Sequence, residues 1–265
     1  MTTRLGAPPE DSGPDPGPST LQRAPAGVRL RDAALTYPAR GRHGRALEAL
    51  AGVTLDVRKR EIVALVGPSG CGKTTVLELV CGLQAPDTGT VEAAPAVLMP
   101  QRDLLLPWLG AHDNAALALR IHGADRASAR AEAQPLFTTF GLEGFEHARP
   151  HELSGGMRQR VAFLRTLLSG KQVLCLDEPF GALDTLTRAD MRDWLAAALA
   201  REPRTALLVT HDVEEAAMLA DRIVILSPRP ARVRAVLDVP LPRPRQVTDA
   251  SLVALREQAL EALRA

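Results

Sequence analysis

The sequence predicts an α/β protein: a mostly parallel sheet, with a small antiparallel β subdomain and an inserted α-helical subdomain. Three observations carry this. The apolar runs EIVALVG (61–67), QVLCLD (172–177), TALLVTH (205–211) and RIVILS (222–227) read as buried strands. Helical segments lie between them, and β–α alternation gives a parallel sheet. Residues 104–165 are rich in alanine and leucine with helical periodicity.

Taken in order, residues 1–27 hold six prolines and four glycines, which predicts an unstructured tail. From Val28 to Val57 the pattern alternates, in VRLRDAALTY and then GVTLDV, as in strands of a small antiparallel sheet. After the buried run 61–67, Thr74 to Val80 reads as a helix stopped by Gly82. Within 104–165, Pro135 should split or kink a helix. Beyond Ser227 come VRAVLDV, a Pro/Arg connector and an amphipathic segment, 249–264, with Leu252, Leu255, Ala259 and Leu263 on one face. That face either packs on its own domain or meets a partner. The expected divisions are therefore a tail (1–27), a main domain (28–237, helical subdomain about 104–165) and a C-terminal connector with its helix (238–265).

Composition limits what the chain can be. Its 265 residues allow one large domain, or one with a subdomain and tails. Apolar residues make up 46% but aromatics only 3%, so Leu, Val, Ile and Ala must build the core. A formal charge of +1 gives no general field for nucleic acid. Cys71, Cys81 and Cys175 have no metal-ligand spacing, nor do the histidines, and an odd thiol count points to a reducing cytoplasm. No apolar run approaches the ~20 residues that span a bilayer, and the first residues lack a signal-peptide core. A soluble protein is expected, which can work at a membrane only by docking on something else.

The chemistry is concentrated in three stretches. VGPSGCGKTT (66–75) holds one of only three lysines among 32 basic residues, between a predicted strand and a predicted helix. Gly67, Gly70 and Gly72 let the backbone curl so that N–H groups point inward, at the positive end of the helix. Phosphate oxygens fit that nest. Lys73 supplies a point charge for β- and γ-phosphates, and the Thr74 hydroxyl can reach Mg²⁺. Such a loop between strand and helix predicts a P-loop NTPase core. VLCLDEP (173–179) ends an apolar run in Asp177 and Glu178. At a strand's end, neighbouring side chains diverge: one carboxylate can hold Mg²⁺ through water while the other polarises an attacking water. Alone, the pair reads equally well as a surface turn. LSGGMRQR (153–160) places Ser154 as an N-cap, with Gly155 and Gly156 allowing close backbone approach before a helix over 157–168. That second anion-seeking end is either an ordinary capped helix or the contribution of one copy to ATP bound by another.

Together these stretches resemble the ATPase subunit of ATP-binding cassette transporters, over about residues 28–237. GPSGCGKTT looks like its phosphate loop, with Gly67, Pro68, Ser69, Gly70, Cys71, Gly72, Lys73, Thr74 and Thr75 around the nucleotide. LSGGMRQR looks like its signature, and VLCLDEP like its Mg²⁺ strand. GALD (181–184) is similar to its dimer-contact loop, which implies a role for Asp184. Gln101, in LMPQRDLLLPW, matches the glutamine that senses Mg²⁺ and the γ-phosphate, and His211 matches the histidine that touches that phosphate. Tyr37 falls where the family stacks an aromatic on adenine, or is an ordinary strand tyrosine. The resemblance implies ATP and Mg²⁺, a head-to-tail pair in which each copy offers Ser154–Gly156 to the other, Glu178 activating water, and a membrane permease as the driven partner. DEPFGALD, QRDLLLPW and SPRPARV are similar to importers of the nitrate/sulfonate/taurine type, a group that includes carriers of thiamine pyrimidine precursors. This implies a peripheral subunit on the cytoplasmic membrane face, with an extracytoplasmic solute-binding protein as an indirect partner and no nucleic acid. Leu104–Trp108 would meet the permease, unless Trp108 is core.

The chain departs from the family by a segment about one hairpin arm short before Gln101, by Pro100 in place of an aromatic, and by Pro135. A cassette ATPase acting on nucleic acid or ribosomes is the rival class. Only about 70 residues separate Gln101 from Asp177, too few for the long coiled coil of DNA-repair relatives.

Overall fold

In the computed structural model the described residues are 26–39, 45–181 and 183–264. Residues 1–25 of the expected tail lie outside them. The other two tail residues do not belong to a tail, because the first strand, β1, already runs Ala26–Tyr37. It pairs antiparallel with β2 (Leu47–Arg58) on one side and β4 (Thr88–Ala93) on the other. This three-stranded sheet is the antiparallel subdomain.

The second sheet has the order β5-β6-β7-β3-β8-β9. Its strands are β3 (Ile62–Val66), β5 (Ala96–Met99), β6 (Val173–Asp177), β7 (Thr205–Thr210), β8 (Arg222–Leu226) and β9 (Val233–Asp238). All neighbours pair in parallel except β9, which closes one edge antiparallel to β8. Every residue of β3, β6 and β7 is buried, as expected of parallel strands covered on both faces. Alternation divides their side chains between two cores. Ile62, Ala64, Val66, Leu174 and Leu176 join one with the later helices. Val63, Leu65, Val173, Cys175 and Leu207 join the other, with β1, β2 and the helix α1 (Lys73–Val80). The short segment before Gln101 supplies one strand to each sheet, β4 and β5, which sequence reading left unassigned.

The helical subdomain contains α2 (Ala111–Ala115), α3 (Leu117–Ile121) and α4 (Arg126–Thr139), then a single 3-10 turn at Pro150–Glu152 before α5 (Gly155–Leu167). Asp113 ties α2 to α4 through Arg130 at 2.7 and 2.8 Å. Pro135 does not split α4, which runs through it. Both Pro135 and Ala131 are exposed, so the carbonyl that proline leaves unbonded faces water. Residues 101–110 are irregular rather than helical.

The last helices are α6 (Thr185–Arg201), α7 (Val213–Leu219) and α8 (Ala250–Arg264). On α8, Leu252 and Ala259 are buried, and Leu255 and Leu263 pack against the same core. The C-terminal segment is therefore part of the main domain, and its apolar face is covered by its own chain. Arg245, in the connector, is buried and donates to the carbonyls of Ala217, Ala220, Val239 and Leu241, capping the end of α7. Among the described residues, no helix is long and apolar enough to cross a membrane.

Candidate active site

The loop between β3 and α1 turns on glycines that hold positive φ, +72° at Gly70 and +122° at Gly72. Space makes the second demand at Gly72: a Cβ there would lie 2.8 Å from the Ala49 carbonyl and 2.9 Å from Leu50 Cδ2. Gly67 needs no unusual φ but sits against the end of β8, where a Cβ would meet Leu226 O at 3.1 Å. Cys71 points into the core, where burial pushes its thiol up. The buried Lys73 side chain doubles back, its Nζ donating to Gly67 O at 2.8 Å and Pro68 O at 3.0 Å. An ammonium held only by carbonyls remains available to an anion.

Parallel strands bring further groups to the same edge. Asp177 ends β6 opposite Val209 of β7, and His211 follows two residues later. These are the carboxyl ends of central strands, where α/β sheets bind ligands. Thr74 Oγ1 donates to Asp177 Oδ2 at 2.9 Å. Burial raises the Asp177 carboxyl above its ordinary range; the Thr74 bond opposes this and the charge of Glu178 adds to it. Glu178 holds a strained φ of +43°. Its carboxylate accepts from Gln101 Nε2 at 3.1 Å and lies 3.5 Å from His211 Nδ1. The turn carrying His211 is fixed by Thr210, which accepts from Asp212 N at 3.0 Å and bonds Glu215.

Gly70, Gly72, Lys73, Thr74, Gln101 and Glu178 line a cavity of about 440 Å³; Asp177 and His211 adjoin it through Thr74 and Glu178 rather than lining it. Ser69 and Thr75 also line it, and Tyr37 forms its wall on the β1 side. The Tyr37 hydroxyl donates to Glu78 at 2.9 Å and lies 3.2 Å from Thr75 Oγ1. The ring is thereby anchored to α1 beside the cavity. Thr74, Asp177 and Gln101 offer hydroxyl, carboxylate and amide oxygens, a hard donor set of the kind that shares Mg²⁺ with phosphate.

The remaining sequence-marked residues lie elsewhere. Ser154 caps α5, accepting from Met157 N at 3.2 Å. Gly155 faces Leu183, just before α6, and Gly156 faces α6 itself, where a Cβ would lie 2.9 Å from Thr187 Cγ2. Asp184 caps α6, accepting from Thr187 N at 3.1 Å. None of these four lines the cavity. Trp108 is no core residue: it is 68% exposed, beside Leu104 at 58%. Buried Asn114 holds that loop, accepting from Leu106 N and donating to the Leu106, Leu109 and Gly110 carbonyls. From α5, Arg165 donates to Leu104 O at 2.9 Å and to Asp103 O, and Arg158 donates to Asp103 Oδ2 at 3.2 Å.

Sequence reading missed Arg229, Leu47 and Ala49 as cavity walls, and Glu78 as the partner of Tyr37. Leu47 and Ala49 carry no chemical signal. Arg229 had one: it follows the buried run RIVILS at a strand's carboxyl end.

Comparison with known proteins agrees with this arrangement. A family model described as ABC transporter matches residues 50–181. An aliphatic sulfonates import ATP-binding protein of Rhodococcus jostii is 44% identical over 230 residues, covering 84% of this chain and 90% of that protein. A formylaminopyrimidine import ATP-binding protein of Halalkalibacterium halodurans is 45% identical over 191 residues, or 71% and 77% of the two chains. Among solved structures, a dimeric ATP-binding cassette in a post-hydrolysis state with ADP and Pi superposes with a TM-score of 0.69 at 28% identity, covering 80% of this chain and 98% of that one. With a phosphate-type loop, a strand-end acid pair and a signature helix on this fold, the chain belongs to the ATP-hydrolysing cassettes of the ABC transporter family.

Proposed function

We propose that this cassette is the ATPase subunit of an importer, docked on the cytoplasmic face of a separate membrane permease. Two copies work as a pair. The observation that carries the reading is Glu178, held by Gln101 and close to His211 at the edge of a cavity whose floor is the Lys73 loop. Lys73 and the loop N–H groups take the phosphates, and Tyr37 flanks the base. Thr74, Asp177 and Gln101 would hold Mg²⁺, which neutralises phosphate charge and orients the terminal group. Glu178 accepts a proton from the attacking water, and His211 donates to the γ-phosphate as its charge develops.

The signature and Asp184 act in the other copy's site. The dimeric cassettes to which the fold is similar support this. Leu104 and Trp108, exposed on a loop braced from behind, form the contact with the permease. The solute belongs to the group named for the relatives, sulfonates, taurine or a formylaminopyrimidine, or to nitrate-like anions. An extracytoplasmic binding protein delivers it.

Glu178→Gln tests the reading. It should bind ATP and elute as a dimer while hydrolysis falls about 10³-fold. Normal turnover by this variant would remove Glu178 from the mechanism.

A further inference from the structure

We infer that Arg229 is a second cationic contact for the phosphate chain of the bound nucleotide, beside Lys73. The inference rests on the cavity being the ATP site. Arg229 lies in the turn between β8 and β9 and lines that cavity. It belongs to none of the loop, signature or strand motifs that marked the site in the sequence.

The turn is built to hold one position. Ser227 N donates to Arg232 O at 2.9 Å, and Arg232 N donates back to Ser227 Oγ at 3.0 Å. The same hydroxyl reaches the Pro228 carbonyl at 2.9 Å and that of Pro230 at 3.2 Å. Two further bonds fasten the turn to β2: Ala231 N to Ala49 O at 2.9 Å, and Ala51 N to Ala231 O at 3.0 Å. Ala231 is fully buried.

The clamp places the turn against the phosphate loop at both ends. Leu226, just before it, touches Gly67, and Ala231 touches Gly72, where a Cβ would meet Ala231 Cβ at 3.5 Å. Gly72 directly precedes Lys73 and the N-terminus of α1. The root of Arg229 is therefore fixed beside the residues that cradle phosphate, not at the Tyr37 side alone. Its own side chain is exposed, and among the described residues no carboxylate pairs with it.

A free guanidinium on a rigid turn, projecting into a cavity with an anion nest, suits a phosphate oxygen. It offers forked donors in a fixed plane at little ordering cost. Lys73 comes from beneath the loop, since its amine lies on the Gly67 and Pro68 carbonyls. Arg229 comes from the neighbouring turn, so the two cations reach the chain from different elements.

The test uses the full chain with Mg²⁺ and a fluorescent ATP analogue, displaced in turn by ATP and by inorganic tripolyphosphate. Arg229→Ala and the longer Arg229→Gln should weaken both competitors alike, by about tenfold. Arg229→Lys should recover only part of the loss, restoring the charge but not the fork. The melting temperature without ligand should not change, which separates lost contact from lost fold. Unaltered affinity for both competitors overturns the inference and leaves the nucleotide site standing. Weaker ATP binding with unchanged tripolyphosphate binding also overturns it, by assigning the guanidinium to the sugar or base. If the unsubstituted chain displaces no analogue with ATP, the nucleotide reading itself fails.

Discussion

The edge of the parallel sheet and the start of α5 are both anion-seeking, yet they are finished to different degrees. At the sheet edge the chain supplies everything: a cavity, a buried lysine, and an acid pair bonded to Thr74 and Gln101. At α5, Ser154 spends its hydroxyl on its own helix, and Gly155 does not line the sheet-edge cavity. In the proposed pair, catalytic groups are preorganised within one copy, whereas the signature's phosphate contact would be left for assembly. Preorganisation matters most where charge develops during reaction. A contact that forms only on pairing can instead report that pairing has occurred.

The largest expected effect comes from breaking each region separately. Lys73→Ala should weaken ATP binding by about thirtyfold or more, since it removes a charge-assisted bond. Gly155→Asp should leave binding intact and cut hydrolysis about a hundredfold, because its carboxylate suits the helix terminus but repels a phosphate. Mixing the two inactive variants then sharpens the contrast. In a two-fold pair, a mixed dimer holds one intact composite site, so about a quarter of the normal rate should return. No recovery would place the signature in the same chain's site.

A smaller effect is expected in stability. Burial holds the Asp177 carboxyl above its ordinary range, so the folded, ligand-free chain binds that proton more tightly than the unfolded chain does. Stability on this account is present at low pH and lost as pH rises through the raised value. Asp177→Asn should therefore stabilise the ligand-free chain at neutral pH in urea unfolding, with the gain shrinking on acidification. The same variant should lose Mg²⁺-dependent hydrolysis. No gain at neutral pH would mean that Asp177 is not strained by its position.

The smallest effect on nucleotide chemistry belongs to Trp108→Ala, which lies on the braced loop rather than in either region. Basal ATPase should stay within about twofold, as for surface substitutions, while solute uptake in vesicles reconstituted with the permease collapses. Unchanged uptake would remove Trp108 from the contact.

Much of this was legible in the sequence because local chemistry fixes it. Buried runs such as VLCLD (173–177) can be little else, and Lys73 and Asp177 stand where the loop and strand end put them. What stayed hidden depends on chain crossings. β4 and β5 are short and partly exposed, and their partners β1 and β6 are distant in sequence. Pro135 misled because local rules ignore which side of a helix faces water. The tail boundary erred by two residues because Ala26 and Gly27 carry no strand signal of their own: Ala26 is held by pairing with Arg58 of β2, and Gly27 O accepts from Ala94 N. Arg229 reaches the cavity only because its turn is tied to β2.

The arginines of α5 have one more consequence. Arg165 grips the backbone at Asp103 and Leu104, and Arg158 grips the Asp103 side chain, while Ser154 stands at the head of the same helix. A helix transmits displacement along its axis like a stiff rod. In the proposed pair, a tilt at its head would be felt at the exposed leucine, with no slack segment between to absorb the stroke.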